Sequence, residues 1–457
     1  MRIITIKSEG IAALSYFVSS EKQGMVIDPR RDASIYHDLA LREDVEIQYI
    51  FETHRNEDYV TGSLELQSMI PDVEIGHSDA TYFHYGELSL ADGETFRVGK
   101  MHITCLSTPG HTNDSMCYTI SDKENGSDPI VVFTGDTLFV NEVGRTDLVD
   151  KSKHALMSQK LYESLHTILL QLGDGVIVHP GHGAGSVCGG AIGEREFSTI
   201  GFERSNNDWL RISEEDFIES KIKQELILAP YFKHCEQLNT DGPPILSAGL
   251  APQELDITSF ETLSHNSEHL AIDTRPPHEF LSKHIPGTIN MSLTIMGLIA
   301  GWILKPSQSF SFLLGNRGEL GEAWSYLVRA GFDNVVGFLE NGIGKWIESG
   351  HAATSIRTIS IDDLKVQLDT GKMQIIDVRE SHEFKEGHIK DSVSLPLTRI
   401  MDATKTFKFE GPVAPLCSSG VRSSTAASIL MRNNITDIAA PLEGFKSWIA
   451  QAFPTEE

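Results

Sequence analysis

The sequence predicts a multidomain α/β protein. Three observations carry that expectation: a length of 457 residues, short β-branched runs alternating with helical patterns in the first half, and a repeat in the second half. At roughly 150 residues per domain, the length suggests about three domains. With 40% apolar and 22% charged residues, composition is that of ordinary globular chains, which excludes extended disorder, a collagen-like repeat and a coiled coil. The balance of 64 acidic against 38 basic residues, a net charge of −26, repels phosphate backbones and anionic headgroups, so neither nucleic acid nor a membrane surface is an expected partner.

Taken in order, residues 2–6, 25–27, 48–51, 102–106, 130–133 and 176–178 read as strands, and 153–172 and 214–226 as helices, a layered arrangement closing near residue 240. Residues 241–253 are dense in turn formers and read as a linker. Beyond it the segment Ala271-Ile-Asp-Thr-Arg-Pro-Pro-His-Glu-Phe returns as Ile375-Ile-Asp-Val-Arg-Glu-Ser-His-Glu-Phe, with His284 and His388 in register. Each copy ends in a Gly and Trp pair, Gly342 with Trp346 and Gly444 with Trp448. Two copies of one α/β module are therefore expected, over 254–350 and 356–457. The longest apolar stretch, 293–304, is too short for a bilayer that needs about 20 residues. No secretory signal is read at the N-terminus. Cys105, Cys117, Cys188, Cys235 and Cys417 form no CxxC pair, which fits free thiols in a reducing compartment and an expected cytoplasmic location.

Three polar residues follow strands in the first domain: His54 in Phe51-Glu-Thr-His, His111 in Thr108-Pro-Gly-His, and Asp136 in Phe133-Thr-Gly-Asp. Loops leaving one sheet edge converge, so these supply two imidazoles and a carboxylate. That donor set suits mononuclear non-haem Fe(II), and Zn(II) accepts it as well. Singly, each residue is more simply a turn residue or cap. Together at strand ends they point to a metal.

With His179-Pro-Gly-His182, these motifs resemble the metallo-β-lactamase superfamily over residues 1–240, which implies an αβ/βα sandwich. The family's HxHxDH pattern is altered here to His54-Arg-Asn56-Glu-Asp58-Tyr59, with Asn and Tyr where two histidines would hold a second cation. The resemblance is then to the persulfide dioxygenase branch, which implies one Fe(II) per chain on His54, His111 and Asp136, with Zn(II) as the alternative. Asp58 and His182 are implied as groups orienting ligands or water, against a purely structural role. Tyr59 either stabilises a bound species or fills vacated volume. Arg145 borders the implied pocket, where it neutralises an anion or remains a solvated loop residue. Cys188, six residues beyond His182, either holds sulfur in transit or is structural.

In the last module, Cys417-Ser-Ser-Gly-Val-Arg422 precedes a helical stretch, so backbone N–H groups, the helix dipole and Arg422 are expected to favour a thiolate. With Asp377-Val-Arg379 and Gly387-His388-Ile, this module resembles the rhodaneses, which carry sulfur as a cysteine persulfide, and Cys417, Arg422 and Asp377 are its implied catalytic residues. Four residues separate Cys417 from Arg422, one fewer than in thiol phosphatase loops, which disfavours phosphatase activity. Pro415 puts the local strand in question, because it lacks an N–H. The equivalent loop of the middle module falls near residues 313–319, and no cysteine lies between Cys235 and Cys417, so residues 254–350 resemble an inactive rhodanese acting as spacer, docking surface or oligomerisation element.

The arrangement resembles bacterial fusions of persulfide dioxygenase with rhodanese. It implies a low-molecular-weight thiol persulfide, O2 and sulfite as reaction partners, thiosulfate as product, and a homo-oligomer. Two other readings remain: a zinc thioester hydrolase of the glyoxalase II kind, and a noncatalytic sulfur carrier in which Cys417 alone functions.

Overall fold

The computed structural model describes all residues except 123–125, 127, 225, 247–250, 404–408, 410 and 457. Part of the expected linker, 247–250, lies outside the described residues. The chain forms two compact units, Met1–Ala248 with Val328–Gly331, and Gly249–Leu327 with Phe332–Glu457.

The first unit is a sandwich of two six-stranded sheets. One runs Arg2–Ser8, Ala13–Ser20, Gln23–Ile27, Glu46–Phe51, Glu74–Ser78 and Leu88–Leu90 in spatial order, antiparallel at first and parallel from Gln23–Ile27 onward. The other is ordered Ser198–Thr199, Ile177–Pro180, Pro129–Gly135, Met116–Asp122, Met101–Ser107 and Thr95–Val98. Alternate residues of a strand face opposite ways. Tyr16 and Val18 therefore join Phe51, Tyr118 and Phe133 between the sheets, while Phe17 packs outward with Val26 and Ile50 against Tyr36 and Leu39 of the helix Ser34–Glu43. On the opposite outer face Val132 and Val178 meet Leu161, Leu165 and Phe217. Both faces of both sheets are covered, giving the αβ/βα order.

The helical pattern expected over 153–172 is broken into the helix His154–Glu163, a π-type turn Ser164–Ile168 and a short 3-10 turn. At that turn Ser164 donates to the Pro109 carbonyl at 2.8 Å, and Gly110 lies so close that a Cβ would sit 2.4 Å from Leu161 Cα. The glycine before His111 is thus required by a helix pressing on the turn. The second expected helix runs Glu214–Lys223, capped by Ser213 and with three acidic residues in its first turn.

The second unit holds both repeats. The middle module has one five-stranded parallel sheet, ordered Gln253–Glu254, Val335–Glu340, Ser309–Leu314, His269–Asp273 and Ile289–Asn290. In the last module the corresponding strands split into Val393–Ser394, Gln374–Asp377 and Val413–Leu416 on one side and Arg357–Ile359 with Ala439–Pro441 on the other. Pro415 accounts for the split. By register it stands where Phe312 pairs with Phe338, and without an N–H it leaves the single bridge Val413–Ile438. The repeated tryptophans play one part in both modules: Trp346 Nε1 donates to Ala352 O and Trp448 Nε1 to Pro454 O, each at 2.9 Å. The apolar stretch 293–304 forms the helix Leu293–Ile303, and among the described residues no helix is long and apolar enough to cross a membrane.

Candidate metal centre and thiol loop

His54, His111 and Asp136 follow the strands Glu46–Phe51, Met101–Ser107 and Pro129–Gly135, and all three are buried. One donor atom from each lies within 4.8 Å of the others. His111 Nε2 and His54 Nε2 stand 3.5 and 4.0 Å from Asp136 Oδ2. The other ring nitrogens fix the tautomers. His111 Nδ1 faces the Arg145 carbonyl at 2.9 Å, which only accepts, so the proton is on Nδ1 and the lone pair on Nε2. His54 Nδ1 faces Thr53 Oγ1 at 2.9 Å, and that hydroxyl spends its proton on Asp28, so His54 also turns an Nε2 lone pair inward. Both Nε2 atoms are buried with no hydrogen-bond partner. Buried unpaired polar atoms are costly, and two lone pairs beside a carboxylate are what a divalent cation needs. The residues present fit a metal ion.

Glu57 is not marked by the sequence, because it falls at an unspecified position of the altered motif. Its Oε1 stands 3.5 Å from His111 Nε2, and its Oε2 is buried without a partner. Burial alone would raise its pKa, but the His111 imidazole holds it below the usual carboxylate range. Burial likewise opposes charge on His111, yet Glu57 and Asp136 raise its pKa, so without a cation Nε2 also takes a proton, and a bound metal ion would displace that proton to use the Nε2 lone pair. Negative charge thus accumulates where the two imidazoles meet.

A second buried group, Asp58, His182 and Cys188, lies beside the first. His182 Nδ1 reaches both oxygens of Asp136, at 2.8 and 3.0 Å, and Nε2 is 2.9 Å from Asp58 Oδ2. One imidazole is therefore shared by two carboxylates, which outweigh its burial and hold its pKa well above the ordinary value. The Cys188 thiol donates to Glu57 Oε1 at 3.6 Å, and burial together with Asp58 and Glu57 pushes its pKa well up, so it is a thiol and a poor metal donor. Asn56 turns its amide back to the His54 carbonyl, and the Tyr59 ring packs 6.1 Å from His182, filling space. Arg145, expected either to neutralise an anion or to remain a solvated loop residue, is engaged within its own domain. Its guanidinium is buried and forked on Asp147 at 2.7 and 2.8 Å, with further bonds to the Val187 and Ile227 carbonyls. It clamps the Cys188 loop, whose carbonyl also accepts from the Arg145 amide at 3.2 Å.

In the last module Cys417 is 1% exposed, and its Sγ accepts from the Gly420 N–H at 3.1 Å, just before the helix Val421–Arg432. Gly420 has φ +91°, a conformation that suits glycine. Arg422 does not fork onto the thiol. It holds Glu383 at 2.6 and 2.8 Å and Ser418 at 3.0 Å, while burial of Glu383 is outweighed by that guanidinium and its pKa falls to about 2. The arginine stiffens the loop through Glu383 and Ser418.

Asp377, implied as a catalytic residue by the resemblance, takes part in a buried ion pair. It is fully buried and paired with Arg379, whose Nη2 also donates to the Gly387 carbonyl at 2.8 Å. Asp273 and Arg275 make the same clamp onto the Lys283 carbonyl in the module that has no thiol, so the clamp forms without one. In that module strand register places Leu314 at the position of Cys417 and Glu319 at that of Arg422. Glu319 folds back to accept from Gly315 N, Asn316 Nδ2 and Thr274 Oγ1, so a carboxylate fills the loop.

Comparison with known proteins agrees with this architecture. Residues 9–182 match the metallo-beta-lactamase superfamily, and residues 256–349 and 360–451 match the rhodanese-like domain. The chain therefore joins a metallo-beta-lactamase domain to two rhodanese-like domains. It is 28% identical over 203 residues to the human mitochondrial persulfide dioxygenase ETHE1, covering 43% of this chain and 70% of that protein. Over 174 residues it is 29% identical to the probable hydroxyacylglutathione hydrolase glo2 of Schizosaccharomyces pombe, spanning 37% of this chain and 62% of that one, less than two thirds of its length. In structure it is similar to a metallo-beta-lactamase from Staphylococcus aureus subsp. aureus COL, with a TM-score of 0.66 at 24% identity over 74% of this chain and 98% of that chain, a likeness of fold.

Proposed function

We propose that the chain is an Fe(II) persulfide dioxygenase coupled to a sulfurtransferase, converting a low-molecular-weight persulfide, O2 and water to the free thiol and sulfite, and sulfite to thiosulfate. The observation that carries the proposal is the donor set: two Nε2 lone pairs and one carboxylate are assembled and buried, while Asn56 and Tyr59 stand where a second cation would need histidines. Fe(II) bound to His54, His111 and Asp136 would supply neighbouring coordination positions for O2 and a terminal sulfur. His182 orients Asp136, Thr53 and the Arg145 carbonyl orient the two imidazoles, and burial of all of them excludes bulk water.

At the second centre, the Cys417 thiolate attacks the sulfane sulfur of another persulfide and expels its thiol. Sulfite then attacks the outer sulfur of the Cys417 persulfide, forming thiosulfate and restoring the thiolate. Tethering raises the effective concentration of sulfite at this loop. Glutathione, coenzyme A and bacillithiol persulfides are candidate substrates, and five free thiols suit a reducing cytoplasm.

Anaerobic purification, elemental analysis and an oxygen electrode trace with added persulfide test this reading. One iron per chain and oxygen uptake with sulfite formation are expected. Two zinc ions with thioester hydrolysis and no oxygen uptake would establish instead the glyoxalase II reading, which similarity to the hydrolase glo2 also supports.

A further inference from the structure

The helix that follows the sulfur-carrying loop is unusual for a small module. Every residue from Ser423 to Leu430 is buried, four of them carrying hydroxyls, whereas a surface helix normally buries one stripe. Its outer face is covered by the edge strand Ile289–Asn290 of the thiol-less module. Edge strands leave backbone donors unpaired, and here the Asn290 N–H donates to Ser428 Oγ at 3.1 Å. The Asn290 side chain accepts from Ser424 Oγ at 2.7 Å and donates to the Asp273 and Arg275 carbonyls at 3.1 and 2.9 Å, which holds it rigidly to its own module. At the other end of the helix, Arg432 reaches the Gly287 and His269 carbonyls. In the last module the residue equivalent to Asn290 is Ser394, which is exposed, so the contact is not a shared feature of the repeat.

The contact leads to the thiol. The Ser424 N–H donates to the Gly420 carbonyl at 3.3 Å, and the Gly420 N–H is the donor to Cys417 Sγ. We propose that the thiol-less rhodanese-like module is an intramolecular brace for the sulfur-carrying loop, with Asn290 as the positioning residue that sets the helix N-terminus beneath Cys417. The proposal rests on Cys417 being the sulfur carrier. It explains why a module with its own loop filled by Glu319 stays joined to a working copy.

The test compares full-length wild type, Asn290→Ala and Ser424→Ala by the rate of Cys417 alkylation with iodoacetamide against pH, and by mass-spectrometric sulfur loading of Cys417 from glutathione persulfide. Loss of the brace is expected to slow alkylation near pH 7 about fivefold and to move the profile to higher pH, since the thiolate loses an aligned donor. Ser424→Ala changes it in the same direction. Unchanged pH profiles in both variants overturn the proposal, even if thermal stability falls, because a merely structural contact would lower stability alone. If Asn290→Ala does not fold, Ser424→Ala decides by the same criterion. A wild-type Cys417 that alkylates but never loads sulfur refutes the carrier reading, and the alkylation profiles still judge the brace.

Discussion

Replacing His182 by alanine probes how the metal centre is held. The ring is buried between two carboxylates, 2.8 and 3.0 Å from the oxygens of Asp136 and 2.9 Å from Asp58. It binds no cation in the proposed arrangement; it fixes the direction of Asp136 and keeps that carboxyl well below the usual range despite burial. Without the ring, two buried carboxylates face each other, Asp136 gains affinity for protons, and its oxygen is free to rotate away from His54 and His111. Losing such an outer partner weakens metal affinity about 10- to 100-fold, about 1.4–2.7 kcal/mol. Anaerobic competition for Fe(II) with a chromophoric chelator measures this, with circular dichroism confirming that the sandwich persists. Affinity within twofold of wild type would refute the orienting role. A drop from two bound ions to one would show that His182 is a direct ligand of a second cation.

His111→Ala should abolish metal binding and sulfite formation while Cys417 still loads sulfur from a persulfide, as read by mass spectrometry; loss of both would show that the centres are not independent. Thiol labelling at pH 8 should mark Cys417 ahead of Cys105 and Cys117, whose pKa values burial pushes up to about 12. Because these values are raised on folding, the stability the two thiols contribute is full below the unfolded value near 9 and is lost as pH rises toward 12, so denaturation midpoints should fall across that window. His269, lodged between Ser309 and Ser311, is lowered by burial to about 4 from 6.5. Its contribution is therefore present above pH 6.5 and lost as pH falls through 4, and urea midpoints of His269→Gln should depend less on pH over that interval.

Much of this protein was legible in the order of residues. The two modules follow from the repeated Asp-x-Arg and His-Glu-Phe segments, the lack of a thiol in the first copy from the absence of cysteine, and the donor trio from polar residues placed just beyond β-branched runs. These are local or periodic signals, set by alternation along a strand and by the chemistry a side chain carries wherever it lies. Contacts between distant segments decided the rest. Asp377 is implied as catalytic by the motif, and only the structure shows that its guanidinium clamp recurs at Asp273 in the module without a cysteine. Nothing in the sequence marks Asp147 and Glu383 as the partners that hold Arg145 and Arg422. Glu57 has no neighbours in sequence that mark it, and Asn290 meets Ser424 across 134 residues. A charge or donor acquires its role from the partner that satisfies it, and only folding brings that partner into reach.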